Sequence, residues 1–213
     1  MDAADNAPEQ PQLYLVTPPT FELSSFPDRL ARVLDEVEAA CLRLSLASSD
    51  QDVISRAADA VRAVAHERDI ALVITDHIQM AERLGLDGVH LGDAARSVRD
   101  ARKALGADAI VGCYCGPSRH DGMTAGEAGA DYISFGPVGQ SALGDGSTAD
   151  LELFQWWSEV IEVPIVAEGA LDEASLTSFA PMSDFFALGE EIWTADDPAA
   201  ALHNAARLIA ASV

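Results

Sequence analysis

The sequence predicts a single-domain α/β fold, a (β/α)8 TIM barrel over residues 12–213, on three observations. Short β-branched apolar runs alternate with longer amphipathic stretches eight times within 213 residues. The joins are tight, and strand–helix–strand units with tight joins build a parallel sheet. No phosphate-gripping glycine fingerprint follows the first strand, where Thr17-Pro18-Pro19-Thr20 stands, so an open doubly wound sheet is the poorer reading.

Residues 1–11 are acidic and proline-containing, lack a basic-then-apolar signal pattern, and read as a loose N-terminal arm. Gln12 to Thr17 is the first strand, closed by Pro18-Pro19. Phe26-Pro27 leads into a helix through Leu30, Val33, Leu34 and Val37. Cys41 to Leu46 alternates as a second strand, and Ser48-Ser49-Asp50 supplies an N-cap for a helix reaching about His66. Ile70 to Ile74 is the third strand. Thr75-Asp76 closes it and starts a helix with apolar positions Ile78, Ala81 and Leu84, which Gly85 ends. Asp87 to Leu91 is the fourth strand, Arg96 to Leu105 a helix, and Ala109 to Cys113 opens the fifth strand. Ser118 to Ala130 is a helix of weaker pattern, followed by the sixth strand, Asp131 to Phe135. The longest loop, Gly136 to Thr148, carries four glycines. Leu151 to Ile161 is helical, with Trp156 and Trp157 as packing residues. Pro164 to Ala167 and Asp184 to Leu188 are the last strands, separated by a helix from Asp172 to Phe179, and Pro198 to Ala211 is the closing helix.

Charge narrows the function. Thirty-five acids face 13 bases, a formal net charge of −22, which disfavours nucleic acid and anionic membrane as partners because no basic footprint exists. Lys103 is the only lysine, and neither Lys nor Arg occurs from Asp121 to Ala206. No apolar run approaches the roughly 20 residues needed to span a bilayer, so a cytoplasmic location is expected. The three cysteines, Cys41, Cys113 and Cys115, cannot all pair with one another. Cys113 and Cys115 share a strand face and read as buried, inert thiols.

Several segments resemble one family in order. Leu13 to Thr17, Thr75-Asp76, Asp87-Gly-Val-His-Leu-Gly92, Gly129 to Tyr132 with Phe135 to Val138, and Pro164 to Ala167 are similar to thiamine phosphate synthase, and the similarity runs from Leu13 to Ala211. The resemblance implies an enzyme that joins a hydroxymethylpyrimidine diphosphate to a thiazole phosphate with magnesium, releasing pyrophosphate. A related thiazole tautomerase with the same barrel binds only the thiazole phosphate. Carried over by position, Arg43 matches the family's arginine, while Cys41 and Ser45 stand at its glutamine and lysine places. Thr75-Asp76 replaces Asn-Asp, and the second metal aspartate falls on Ala95, with Asp93 nearby. Two threonines and a lysine of the glycine-rich loop become Ser141, Leu143 and Gly144. The Gly-Gly after the seventh strand becomes Glu168-Gly169-Ala170, and the serine after the eighth becomes Gly189-Glu190-Glu191. The implied site is therefore Arg43 and Asp76 as catalytic groups, with Thr75, Ser141, Glu168, Gly169 and Gly189 touching substrate. Asp76 would hold magnesium, joined by Asp93 through water.

Plainer readings stand beside these. Asp76 with Gln79 fits a capping box, His90 a satisfied core histidine, and Ser141 ordinary loop solvation. His77 and His120 are acid/base groups by type alone. Arg43, ending an apolar barrel strand, faces the site. Glu168, Glu190 and Glu191 crowd turns where barrels often hold phosphate, and like charges 4 Å apart cost about 4 kcal/mol at an effective dielectric of ~20. The expectation is a thiamine-biosynthesis barrel with weak or lost coupling activity. A catalytically silent small-ligand-binding or regulatory paralogue, a thiazole tautomerase-like enzyme, and acid/base chemistry at Glu168 remain alternatives. The expected partners are a thiamine-precursor-like small molecule and a second copy of the chain.

Overall fold

The computed structural model describes residues 10–140 and 146–213, so most of the N-terminal arm and part of the glycine-rich loop lie outside the described residues. The chain runs β1 Gln12–Val16, α1 Phe26–Glu36, β2 Cys41–Leu44, α2 Gln51–His66, β3 Ala71–Thr75, α3 Ile78–Leu84, β4 Gly88–Leu91, α4 Val98–Leu105 and β5 Ile110–Tyr114. It continues α5 Arg119–Ala128, β6 Tyr132–Phe135, α6 Leu151–Val160, β7 Ile165–Glu168, α7 Glu173–Phe179, β8 Phe185–Leu188, α8 Glu190–Trp193 and α9 Pro198–Ala210. All neighbouring strands pair in parallel, and β8 returns to β1 in a closed barrel. The eightfold alternation therefore closes as predicted. The four-residue α8 and a 3-10 turn, Ala180–Met182, are additional, being too short to show periodicity.

Local chemistry sets the helix ends. Asp50 caps α2 by accepting from the N–H groups of Asp52 and Val53, while Ser118, Asp150, Asp172 and Asp197 cap α5, α6, α7 and α9. Gly85 ends α3 with φ 61°, a left-handed conformation that glycine adopts without strain.

Strand alternation divides the core in two. Leu13, Leu15, Leu42, Leu44, Leu72, Ile74, Val89 and Leu91 join the main cluster with the buried helix faces. Tyr14, Val73, Tyr132, Val166 and Ala187 form a second, smaller cluster. This is the period-2 pattern of a barrel with a packed centre. Gly112 is required by that packing, because a Cβ there would overlap the Tyr132 ring. Trp157 is buried and donates to the Val163 carbonyl at 2.8 Å, and Arg119 lies over Trp156 with 4.1 Å to the ring centroid, so both indoles pack as expected. Cys113 and Cys115 are buried free thiols with Sγ atoms 3.8 Å apart. No helix among the described residues is long and apolar enough to cross a membrane.

At the N-terminal end of the barrel one device recurs. Asp87, Asp131 and Asp184 precede β4, β6 and β8, and their carboxylates accept from Leu72, Val111 and Ile165 N–H at 2.7 Å each. Strands β4, β6 and β8 are thereby each clasped to the odd strand before them. The opposite end carries the candidate site.

Candidate functional site

The C-terminal strand ends enclose a cavity of about 260 Å³ lined by Arg43, Ser45, Thr75, His90, Gly92, Tyr114, Glu168 and Gly169. Four residues read from the sequence as site groups, Arg43, Thr75, Glu168 and Gly169, meet here. The Thr75 hydroxyl is buried without a hydrogen-bond partner among the described residues, so an acceptor or donor is available to a ligand.

Arg43 and Glu168 face each other across the barrel. Both terminal nitrogens of the guanidinium donate to the carboxylate, Nη1 to Oε2 at 3.1 Å and Nη2 to Oε1. Ser134 Oγ donates to Glu168 Oε2 at 2.6 Å, and Arg43 also lies over the Tyr14 ring, 5.6 Å from its centroid. Burial alone would raise the Glu168 carboxyl, but the guanidinium and its hydrogen bonds, with Ser134, hold it at about 2. Burial would lower the Arg43 guanidinium, and Glu168 reverses this, leaving it above its ordinary value. The pair is ionised and mutually neutralised. The repulsion expected at this turn is corrected accordingly, since Glu168 turns inward to a cation.

Behind the pair lies a polar relay. Tyr14 and Tyr132 hydroxyls are 2.6 Å apart, and Tyr132 lies 2.9 Å from His90 Nδ1. Burial, followed by the Arg43 charge, lowers His90 from 6.5 to about 3, so it is neutral at physiological pH. The reading of His90 as a satisfied core histidine holds, and its ring also lines the mouth. Burial, then Glu168, pushes the Tyr114 phenol up to about 12. Sequence reasoning missed Ser134, Tyr132, Tyr14 and Tyr114. Alternation places Tyr132 and Ser134 on one strand face, but their partners lie on other strands.

Asp76 departs from the capping reading. The N-cap of α3 is His77, without a side-chain cap bond. Asp76 takes φ 61°, which Asp tolerates better than most residues. That conformation sends Oδ1 across to accept from Gly92 N–H at 2.7 Å. A Cβ on Gly92 would lie 3.3 Å from Asp76 Oδ2, so the glycine permits the approach. Asp76 lines a neighbouring cleft of about 340 Å³ with His77 and Arg83. Asp93 Oδ2 accepts from Ser97 Oγ at 2.6 Å, and its Oδ1 is buried without a partner among the described residues. No group of three or more His, Cys, Asp or Glu is placed to hold a metal among the described residues. Asp76 and Asp93 stand on the adjoining loops after β3 and β4. His120 is exposed on α5, outside the lining of the mouth.

Gly189 lies outside the mouth lining and starts α8, where its N–H donates to Glu191 Oε2 at 3.0 Å. Glu191 Oε1 accepts from Leu171 N–H on the β7 loop, also at 3.0 Å. Glu190 is exposed. Gly169 has φ 87°, and Ala170, at the second glycine place, has φ 54°. Ser141, Leu143 and Gly144 fall outside the described residues.

Comparison with known proteins fits this arrangement. A family model described as thiamine monophosphate synthase matches residues 13–187. A thiamine-phosphate synthase of Rhodospirillum centenum is 40% identical over 203 residues, 93% of this chain and 97% of its own. That of Erythrobacter litoralis is 38% identical over 206 residues, covering 94% and 96%. Among solved structures, thiamine phosphate pyrophosphorylase from Pyrococcus furiosus superposes with a TM-score of 0.81 at 20% identity, over 96% of this chain and 98% of that one. At that identity the superposition speaks for the fold.

Proposed function

The chain belongs to the thiamine monophosphate synthase family, and from that premise we propose a thiamine-biosynthesis barrel that binds a thiamine precursor but couples pyrimidine diphosphate to thiazole phosphate weakly or not at all. The observation that carries this is the Arg43–Glu168 pair. Arg43 is the only Lys or Arg among the described residues lining the mouth, and both its terminal nitrogens are engaged by the half-buried Glu168 carboxylate. Departure of a diphosphate needs donors aimed at developing negative charge, and loss of one such donor costs about 10²–10³ in rate. Ser45, at the family's lysine place, lines the same cavity without a charge.

Magnesium would be held by Asp76, with Asp93 through water, and would supply positive charge against a diphosphate. Calorimetry tests this without turnover: the magnesium isotherm should vanish in Asp76→Ala, and an unchanged isotherm rejects the assignment.

Steady-state turnover with both precursors and magnesium, beside the purified Rhodospirillum centenum relative, tests the main reading. The expected rate is lower by at least about 10²-fold. A comparable rate that Arg43→Ala abolishes restores full synthase activity to this chain.

A further inference from the structure

Most polar side chains at the mouth are already engaged. Arg43, Glu168 and Ser134 bond to one another, and the His90 ring lies against Tyr132 at 24° with 5.8 Å between centroids. Tyr114 is different. It is half-buried, lines the cavity, and has neither a hydrogen-bond partner nor a ring contact among the described residues. Its phenol, pushed up to about 12, is neutral at physiological pH. The residues level with it are small. Ser134 pairs with it on β6, and on the other side Gly92 follows directly on the Leu91–Cys113 pair of β4 and β5. A Cβ on Gly136 would lie 3.5 Å from Tyr114 Cε2, so the ring stands toward β6. On the β4 side, the three atoms nearest to a Cβ on Gly92 all belong to Asp76 and none to Tyr114. A slot is therefore left over Gly92. The Tyr114 ring forms one wall, and Thr75, whose hydroxyl is buried and unpartnered among the described residues, lines the same cavity from β3.

We propose that Tyr114 is a specificity-determining residue: its ring is the wall against which the heteroaromatic ring of the precursor stacks, in the slot over Gly92 and beside the Thr75 hydroxyl. The assignment rests on the thiamine-precursor reading above and names the part of the precursor that the mouth recognises. A flat heterocycle offers a π-face to the phenol ring, and stacking of this kind is worth about tenfold in affinity. The Thr75 hydroxyl can donate to a ring nitrogen, so that neither group is left buried without a partner. An aliphatic wall of similar bulk would bury the same heterocycle without preferring its flat face. A phosphate group on the precursor draws on neither contact and is held, if at all, by other parts of the mouth.

The test titrates thiazole phosphate into the full-length protein, with affinity read by calorimetry and the thiazole C2 proton followed by NMR. In the wild type that proton should move upfield on binding, the ring-current signature of a stacked heterocycle. Tyr114→Leu keeps apolar bulk without a ring, and it should weaken binding about tenfold and lose the upfield shift. Tyr114→Phe keeps the ring and should retain both. Inorganic phosphate should bind all three proteins alike, which separates loss of the ring from a general distortion of the mouth. Unchanged affinity in a folded Tyr114→Leu, an equal loss in Tyr114→Phe, or a parallel loss for inorganic phosphate overturns the proposal. If the leucine variant does not fold, the other two spectra decide, because a C2 proton that fails to move upfield in either protein also overturns it. Wild-type protein that binds no thiazole phosphate rejects the precursor reading and this assignment with it, whereas binding that survives Tyr114→Leu undiminished rejects the assignment alone.

Discussion

Arg43 and Glu168 lie 125 residues apart and meet only because β2 and β7 belong to one closed barrel. Removing one member of a buried ion pair leaves the other charged in an apolar setting, at a cost of about 3–5 kcal/mol, whereas replacing both by apolar groups is often near neutral. Arg43→Met and Glu168→Leu should each destabilise by that amount in urea unfolding, and the double variant should recover most of the loss. Additive losses would mean that the pair does not carry the stability assigned to it. Acid acts on the same cluster. His90 titrates near 3 when folded against an ordinary 6.5, and Glu168 near 2 against 4.5. The unfolded chain therefore binds more protons in both windows, so these groups contribute fully above about pH 6.5 and their contribution is lost on acidification. Asp172, drawn down by the Ser175 hydrogen bond, adds to the loss in the carboxylate range. Between pH 6.5 and 4.5 the loss belongs chiefly to His90, and His90→Gln should flatten the stability profile there while keeping the fall below 4.5. An identical profile in the variant would reject this assignment.

At the scale of elements, stability gathers in the aspartate clasps. Asp87, Asp131 and Asp184 each satisfy an N–H of the odd strand before them, while Ala40, at the equivalent place between β1 and β2, offers only its own N–H to the Leu13 carbonyl at 2.9 Å. Asp131 is also bonded to Arg102 at 2.6 Å, which ties α4 to the same strand end. Leaving a buried strand N–H unsatisfied costs about 1–3 kcal/mol. Asp184→Ala should therefore lower the urea midpoint by that equivalent with an unchanged slope, and a variant as stable as wild type would discount the clasp. Much of this level is legible in the sequence. Asp50 and Gly85 announce helix ends, and the three aspartates stand at predicted strand starts, because caps and turns are local. The destination of a carboxylate across the barrel is not local. Asp76 reads as a cap from Thr75-Asp76 and Gln79, yet its φ of 61° turns it to Gly92, a residue whose lack of a side chain is what admits it. Glu191 likewise reads only as one of the acids crowding the last turns until α8 and the β7 loop place two N–H groups around it.

For the whole molecule, the eightfold pattern was readable because alternation and helical periodicity repeat along the chain, but the charge has consequences of its own. With 35 acids and 13 bases, acids exceed bases by 22, and the surplus acids repel one another in the folded state. Several of the pairs formed lie at the surface, such as Arg68 with Asp35 at 2.8 Å, and exposed pairs of this kind contribute about 0–1 kcal/mol. In the Arg43–Glu168 pair Arg43 is buried and Glu168 half-buried, so it is screened less than surface charge. Salt should therefore relieve more repulsion than it removes attraction. The screening length falls from about 10 Å at 0.1 M to about 3 Å at 1 M, which cuts off acid–acid repulsion across the surface while sparing the barrel interior. The melting temperature should rise with sodium chloride over that range, most steeply at the low end where the screening length changes fastest. A nonionic osmolyte provides the control, since it strengthens burial without screening and should give a gradual rise with no steep initial segment. A melting temperature that stays flat or falls with salt would show that the few ion pairs outweigh the surplus of acids, and that the charge balance of the folded surface is other than described.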